Sequence, residues 1–125
     1  MSRERIYTGI AGEGYARIFL RRKGYRILER NYRTPFGEID VIARHRGVIV
    51  FVEVRSTASF FYGPAYLSID RLKQKRIIKN GLFYLKKNGL AGRKWRIDIV
   101  SVKLDHERRP ESLELIENAV EDEYV

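Results

Sequence analysis

Two carboxylates, Asp40 and Glu53, lie on either side of a predicted turn at residues 44–47. If the flanking strands pair around this turn, the two side chains are diagonal neighbours, with backbones about 7 to 8 Å apart. Glu38 and Arg55 each lie two residues from one of them and share the same face. Carboxylates at this separation can converge on one divalent cation, or they can form a structural ion pair with Arg55. The spacing leaves both interpretations open.

The predicted turn is centred on His45 and Arg46, a register that pairs Asp40 with Phe51. A shift of one residue would move the carboxylates to opposite faces. Neither histidine belongs to the acidic group. His45 in the turn and His106 in the polar C-terminal segment are both expected at the surface.

Glu13 is a third candidate carboxylate, because the glycines around it interrupt a helical pattern. Gly12 and Gly14 each cost a helix about 1 kcal/mol relative to alanine. Their presence indicates close approach of another backbone or of a ligand. In the simpler interpretation the two glycines pack against the sheet and Glu13 is solvated.

The hydrophobic periodicity predicts the elements that must position these side chains. A helix is expected over residues 4–23, where apolar residues recur at spacings of three and four. The other predicted elements are strands at 25–32, 38–43, 48–54, 95–104 and 113–116, and a second helix at 69–87 capped by Ser68. A helix between the third and fourth strands implies that they are parallel. The fold class is therefore α/β, a mixed sheet covered by helices.

Composition limits the classes of protein that this chain can belong to. It has 125 residues and no cysteine, which excludes disulfide scaffolds, thiol catalysis and cysteine-ligated metal sites. The longest strongly apolar run, residues 48–52, is too short to span a membrane, and no signal sequence is recognised. We expect a soluble cytoplasmic protein, with one domain over residues 1–104 and an acidic tail over 105–125.

The charge is unevenly distributed. Residues 1–104 carry a net charge of +15, whereas the tail carries −6. The second predicted helix is especially basic and includes Arg71, Lys75 and Arg76. A basic surface of this kind favours a nucleic-acid partner, with DNA expected, although lysine and arginine also simply solvate helix faces. The tail is expected to fold over the basic face; the alternatives are that it only adds solubility or that it supplies a final edge strand.

An aromatic segment at residues 57–67 follows the third strand. Its rings could stack on an exposed base. Covering the core, or contacting a second copy in a homodimer, is an equal alternative.

Four motifs occur in an order and spacing that resemble the YraN-like proteins, an uncharacterised bacterial family of predicted endonucleases related to archaeal Holliday-junction resolvases. The motifs are Gly12-Glu13-x-Tyr15-Ala16, Gly24-Tyr25-x-Ile27-Leu28-x-Arg30-Asn31-Tyr32-Arg33, Gly37-Glu38-Ile39-Asp40-Val41-Ile42-Ala43 and Phe51-Val52-Glu53-Val54-Arg55. The resemblance implies a restriction-endonuclease-like fold with a PD-(D/E)xK site.

The resemblance also implies a role for each matching residue. Glu13 would be the helix carboxylate, Asp40 and Glu53 metal ligands, Val54 a ligand through its carbonyl, Arg55 the counterpart of the superfamily lysine, and Lys73 a second cation. Lys73 could equally be a solvated cation beside Arg71, Lys75 and Arg76. Arginine in place of lysine cannot act as a general base, because it stays protonated.

An all-oxygen ligand shell suits Mg²⁺ or Mn²⁺. The implied function is a metal-dependent DNA endonuclease, with branched or structured DNA as the substrate suggested by the resolvase kinship. The alternative is a non-catalytic nucleic-acid-binding module on the same fold.

Overall fold

The computed structural model describes residues 3–58 and 69–120, which form two helices and five strands. In chain order the elements are α1 (Arg3–Arg22), β1 (Arg26–Thr34), β2 (Gly37–His45), β3 (Val48–Ala58), α2 (Arg71–Lys87), β4 (Trp95–Leu104) and β5 (Pro110–Ile116). This order confirms the predicted α/β fold class. Among the described residues, no helix is both long and apolar enough to cross a membrane.

The five strands form one sheet in the order β1-β2-β3-β4-β5. All neighbouring strands are antiparallel except β3 and β4, which are parallel and connected through α2. The predicted mixed sheet is therefore confirmed. The predicted weak strand near the C-terminus is β5, which pairs with β4 at the sheet edge. Beyond it, Val120 is buried in the core.

The sheet separates two halves of the hydrophobic core. The α1-side core includes Leu20 of α1 and Val50 and Val52 of β3. The α2-side core includes Ile77 of α2 and Phe51 of β3. Because β3 is apolar on both faces, it takes the central position that its sequence predicts.

Helix α1 occurs where the periodicity predicts it, but it is rotated relative to the predicted apolar face. The buried face of the helix runs through Gly12, Ala16 and Leu20, and Gly12 makes a close contact with Ser56 on β3. Four of the apolar residues whose spacing predicts this helix are exposed: Ile6, Tyr7, Ile10 and Ile18. The smallest side chains allow the closest approach, so they set the orientation of the helix.

Helix α2 begins at Arg71, two residues later than predicted. Its N-cap is Asp70, whose side chain accepts a hydrogen bond from the backbone N–H of Lys73 at 2.8 Å. Ser68, the predicted cap, lies outside the described residues. Aspartate is as good an N-cap as serine and lies closer to the first helical residue.

The predicted register of the β2–β3 hairpin was wrong by two residues. The turn is formed by Arg46 and Gly47, which have φ values of 51° and 79°, and His45 pairs with Val48. Positive φ at both central residues is typical of a type I′ turn, which matches the twist of the flanking strands. His45 consequently lies in the sheet and is buried, not at the surface as expected.

Candidate metal centre

Asp40 occupies a break in the pairing between β2 and β3. The described ladder ends at the pair Val41–Val52. One residue earlier, Asp40 Oδ2 accepts a hydrogen bond from the backbone N–H of Val54 at 2.8 Å. The Asp40 side chain thus replaces a backbone carbonyl of β2 as the acceptor for the Val54 N–H. As a result, the carboxyl of Asp40 lies against β3.

The side-chain alternation of β2 also changes at Asp40. Ile39 packs in the α2-side core, whereas Val41 packs in the α1-side core. In a regular strand, two residues at this spacing would share a face. The residue opposite Asp40 on β1 is Asn31, which has a φ of 49°. Asparagine adopts this left-handed conformation more readily than most residues.

Three carboxylates meet at this irregularity, and we call them the acidic cluster. Glu13, Glu38 and Asp40 each offer an oxygen atom, and these oxygens all lie within 4.8 Å of one another. The Asn31 amide donates to Glu38 Oε1 at 2.9 Å and lies 3.4 Å from both carboxylate oxygens of Glu13. Oxygen atoms gathered in this way could hold a hard divalent cation such as Mg²⁺.

A close helix–sheet contact places Glu13 in the cluster. A Cβ atom added at Gly12 would lie 1.7 Å from Ser56 Oγ on β3, so only glycine fits there. Gly12 therefore packs against the sheet, as the simpler interpretation predicts. Gly14 does not, because an added Cβ would meet only the Arg17 guanidinium, at 4.0 Å. Glu13 itself belongs to the cluster and is more than a solvated side chain.

The environment of Asp40 favours its protonated form. Burial, together with the negative charges of Glu53 and Glu13, raises the pKa of Asp40 to about 8. The hydrogen bond from Val54 and the charge of Lys73 oppose this shift but do not cancel it. At pH 7 without metal, the Asp40 carboxyl therefore mostly retains its proton. A cation that binds there must displace it.

Glu53 lies beside the cluster and is paired with cations. It is 5% exposed, and its Oε1 lies 3.3 Å from Lys73 Nζ and 3.7 Å from Arg55 Nη1. Its effect on the pKa of Asp40 shows that the two carboxylates are electrostatic neighbours. The structure therefore brings together all five residues to which the resemblance assigns side-chain roles: Glu13, Asp40, Glu53, Arg55 and Lys73.

Some assigned roles stay predictions. The backbone N–H of Val54 donates a hydrogen bond to Asp40. The role of the Val54 carbonyl as a metal ligand remains a prediction. Arg71, Lys75 and Arg76 are exposed on α2, where contact with nucleic acid remains a prediction.

Most of the aromatic segment at residues 57–67 lies outside the described residues, apart from Thr57 and Ala58, which end β3. His106 is exposed, as expected.

Sequence reasoning gave no role to two residues of the site. Glu38 is predicted on the same face as Asp40, but its proximity to Glu13 depends on how α1 packs on the sheet, which strand spacing does not show. Asn31 is part of a quoted motif, and its ability to adopt positive φ was the available signal. An asparagine between Arg30 and Tyr32 in a strand is ambiguous by itself, so only the fold reveals the bridge that it makes.

Comparison with known proteins agrees with these motifs. The sequence profile described as "Uncharacterised protein family UPF0102" matches residues 12–102, a span that includes the acidic cluster, Glu53 and Lys73. The chain belongs to family UPF0102. This confirms the resemblance to the YraN-like proteins.

Similarity to individual UPF0102 proteins extends over nearly the whole chain. The UPF0102 protein of Moorella thermoacetica is 44% identical over 119 residues, which cover 95% of this chain and 99% of that protein. The protein of Syntrophus aciditrophicus is 47% identical over 120 residues, 94% of this chain and 91% of the relative. The protein of Persephonella marina is 52% identical over 94 residues, 75% and 81% of the two chains. UPF0102 is a family of uncharacterised function, so the activity must be argued from the site.

Proposed function

We propose that this UPF0102 protein is a metal-dependent DNA endonuclease that hydrolyses phosphodiester bonds, with branched or otherwise structured DNA as its substrate. The observation that carries the proposal is the half-buried carboxyl of Asp40, held beside Glu13 and Glu38 at a break in the sheet. A protein gains no stability from gathering carboxylates whose charges raise the pKa of one of them. Such a group is typical of a functional site.

The donor set fits a hard divalent cation. The acidic cluster offers carboxylate oxygens, with no cysteine or histidine among them, which suits Mg²⁺ or Mn²⁺. Asp40, Glu13 and Glu38 would hold the ion, whereas Glu53 lies outside this group of oxygens and acts on Asp40 through its charge. When bound, such an ion supplies Lewis-acid chemistry and lowers the pKa of a coordinated water.

The protein's own groups have two kinds of role at this site: some hold the carboxylates in position, and others provide positive charge. Asn31 holds Glu13 and Glu38 through its amide, so these carboxylates keep their positions before metal arrives. Lys73 and Arg55 lie against Glu53 and bring positive charge to the place where a phosphodiester would approach. Arg55 stabilises negative charge there but removes no proton, because a guanidinium stays protonated.

The second candidate function is a non-catalytic nucleic-acid-binding module. It is favoured by one observation: Glu53, a ligand implied by the resemblance, is already neutralised by Lys73 and Arg55. In that case the carboxylates would serve structure, and the basic surface of α2 would bind nucleic acid alone.

A cleavage assay separates the two candidates. Wild-type protein should nick a four-way junction in Mn²⁺ or Mg²⁺, whereas Asp40→Asn should lose cleavage at least 100-fold and still bind the junction in chelator. Asp70→Asn is the matched control, because it removes a carboxylate outside the cluster and asparagine also caps helices well. Wild-type protein that binds junction, linear and single-stranded DNA but cuts none of them would contradict the nuclease proposal and favour the binding module.

A further inference from the structure

A cleft of about 480 Å³ opens near the end of the sheet opposite the acidic cluster. Val48 in its wall precedes Val54 by six residues on β3, which is about 20 Å of extended strand. The residues that line the cleft are Val48, Gly92, Arg93, Lys94, Trp95, Arg96 and Asn118. It therefore shares no residue with the acidic cluster.

The rim of the cleft is positively charged. Arg93 and Lys94 are exposed on the loop before β4, and no ion pair is described for either within residues 3–58 and 69–120. The nearby carboxylate of Asp98 is fully buried and bonded to Arg96. Among the residues that line the cleft, the charged side chains are all cationic: Arg93, Lys94 and Arg96.

Arg96 also lines the cleft, and its guanidinium is fixed on the α1 side of the sheet. Arg96 Nε donates to Asp98 at 2.9 Å, and its Nη2 donates to the Tyr25 hydroxyl at 3.0 Å and to His45 Nδ1 at 2.9 Å. The backbone N–H of Asn118, also in the cleft, donates to Asp98. These bonds hold Arg96 in one position, so the cleft wall is organised before a ligand arrives.

The cleft also contains an aromatic ring. Trp95 is half-buried, with its ring centroid 6.0 Å from that of Phe51 in the α2-side core, and it also lines the cleft. An aromatic surface next to cations is the combination that binds a base together with its phosphate. Trp95 is the only tryptophan of the chain, so its fluorescence reports on this cleft alone.

We propose that this cleft binds a nucleotide unit, with the phosphate on Arg93 and Lys94 and the base against Trp95. The ligand chemistry is a phosphate ester that carries a base, which either a free mononucleotide or one unit of a nucleic-acid strand supplies. The inference does not rest on the proposed nuclease activity, because it uses neither the acidic cluster nor a metal.

Fluorescence titration in chelator tests the cleft, with dTMP, thymidine and a ten-residue thymidine oligonucleotide as probes. We expect a saturable change of Trp95 emission with dTMP and the oligonucleotide, and at least tenfold weaker binding of both to Arg93→Ala/Lys94→Ala. Binding of dTMP assigns the cleft to a free nucleotide, and binding of the oligonucleotide alone assigns it to a strand. Both outcomes support the proposal.

The control variant is Arg30→Ala/Arg33→Ala, which removes two exposed cations from the edge strand β1. It should bind dTMP, or the oligonucleotide if only that probe binds, with wild-type affinity. An equal loss of affinity in this control would overturn the proposal. So would the absence of a saturable change with either phosphate-bearing probe, or binding of thymidine as tight as that of dTMP. Cleavage activity is not part of this readout, so the result is separate from the fate of the nuclease proposal.

Discussion

At the scale of single residues, Asp40 shows how one side chain can be both a structural and a chemical group. Its carboxyl completes the hydrogen bonding of β3 through the Val54 N–H, and it also lies among three other carboxylates. The hydrogen bond from Val54 lowers the pKa of Asp40, whereas the neighbouring carboxylates raise it. The resulting pKa near 8 means that the Asp40 carboxyl is more stable here with a bound proton or cation than as a free carboxylate.

Asp40→Asn should therefore stabilise the metal-free protein relative to wild type as the pH rises. Folded Asp40 titrates near pH 8 and the unfolded chain near 3.8. Between these values the folded state holds the extra proton, so wild-type stability falls with increasing pH. The asparagine variant lacks this loss and keeps an acceptor for Val54. Its advantage should grow between pH 5 and pH 9 by on the order of a few kcal/mol, since each pKa unit corresponds to about 1.4 kcal/mol.

Urea unfolding in chelator at pH 5, 7 and 9 measures this difference. Asp70→Asn, at the exposed N-cap of α2, should show no such pH-dependent gain. A constant difference between Asp40→Asn and wild type across this range would mean that Asp40 is ionised throughout, contrary to its environment in the fold.

At the scale of elements, the site depends on how closely α1 approaches β3. The absence of a side chain at Gly12 brings the helix onto Ser56, and this contact carries Glu13 to the acidic cluster. Two residues along the same helix, Gly14 has open space around it. The two glycines therefore have different reasons to be present.

Gly12→Ala should destabilise the protein by about 1 to 3 kcal/mol, because the new methyl group overlaps the Ser56 side chain. Gly14→Ala should instead be neutral or stabilising by up to about 1 kcal/mol, as expected for alanine in an open helical position. Thermal or urea unfolding of both variants measures the contrast. Equal effects of the two substitutions would indicate that the helix does not pack on β3 through Gly12.

Elements with a strong local signal were predictable, and the site geometry was less so. The residues of β4 were predicted over their full length, since alternating apolar residues and flanking loops define them. The predicted register of the β2–β3 hairpin was wrong because Arg46 adopts a positive φ, which is uncommon for arginine and is not indicated by the sequence. Likewise, the twist at Asn31 and the side-chain bond of Asp40 depend on strands distant in sequence. The residues of the site could be predicted, but their contacts could not.

At the scale of the whole molecule, charge and chemistry are spatially separated. The acidic cluster lies at one end of the sheet, the basic cleft lies near the other, and the exposed cations of α2 cover part of one face. The acidic C-terminal segment includes β5, which pairs with β4 and forms the edge of the sheet. A nucleic-acid strand could contact α2 while it reaches the acidic cluster.

Binding to DNA should weaken steeply with salt, since lysine and arginine contacts release counterions. Lys75→Ala/Arg76→Ala should reduce affinity for all sequences and make the slope of log K against log salt less steep by about 1 to 2. The comparison variant Arg108→Ala/Arg109→Ala removes two exposed cations from the turn before β5. Fluorescence anisotropy at several salt concentrations measures these slopes. A salt-independent affinity in wild type would contradict the polyanion interpretation.

The most direct test of the metal centre is calorimetric titration of Mn²⁺ into the metal-free protein at pH 7, in two buffers that differ in ionisation enthalpy. The pKa of Asp40 near 8 predicts that binding releases about one proton, so the apparent enthalpy should depend on the buffer. Asp40→Asn should lose both the binding and the proton release, while Asp70→Asn should retain them. Absence of Mn²⁺ binding, or binding that is unchanged in Asp40→Asn, would contradict the proposal that the acidic cluster is a metal centre.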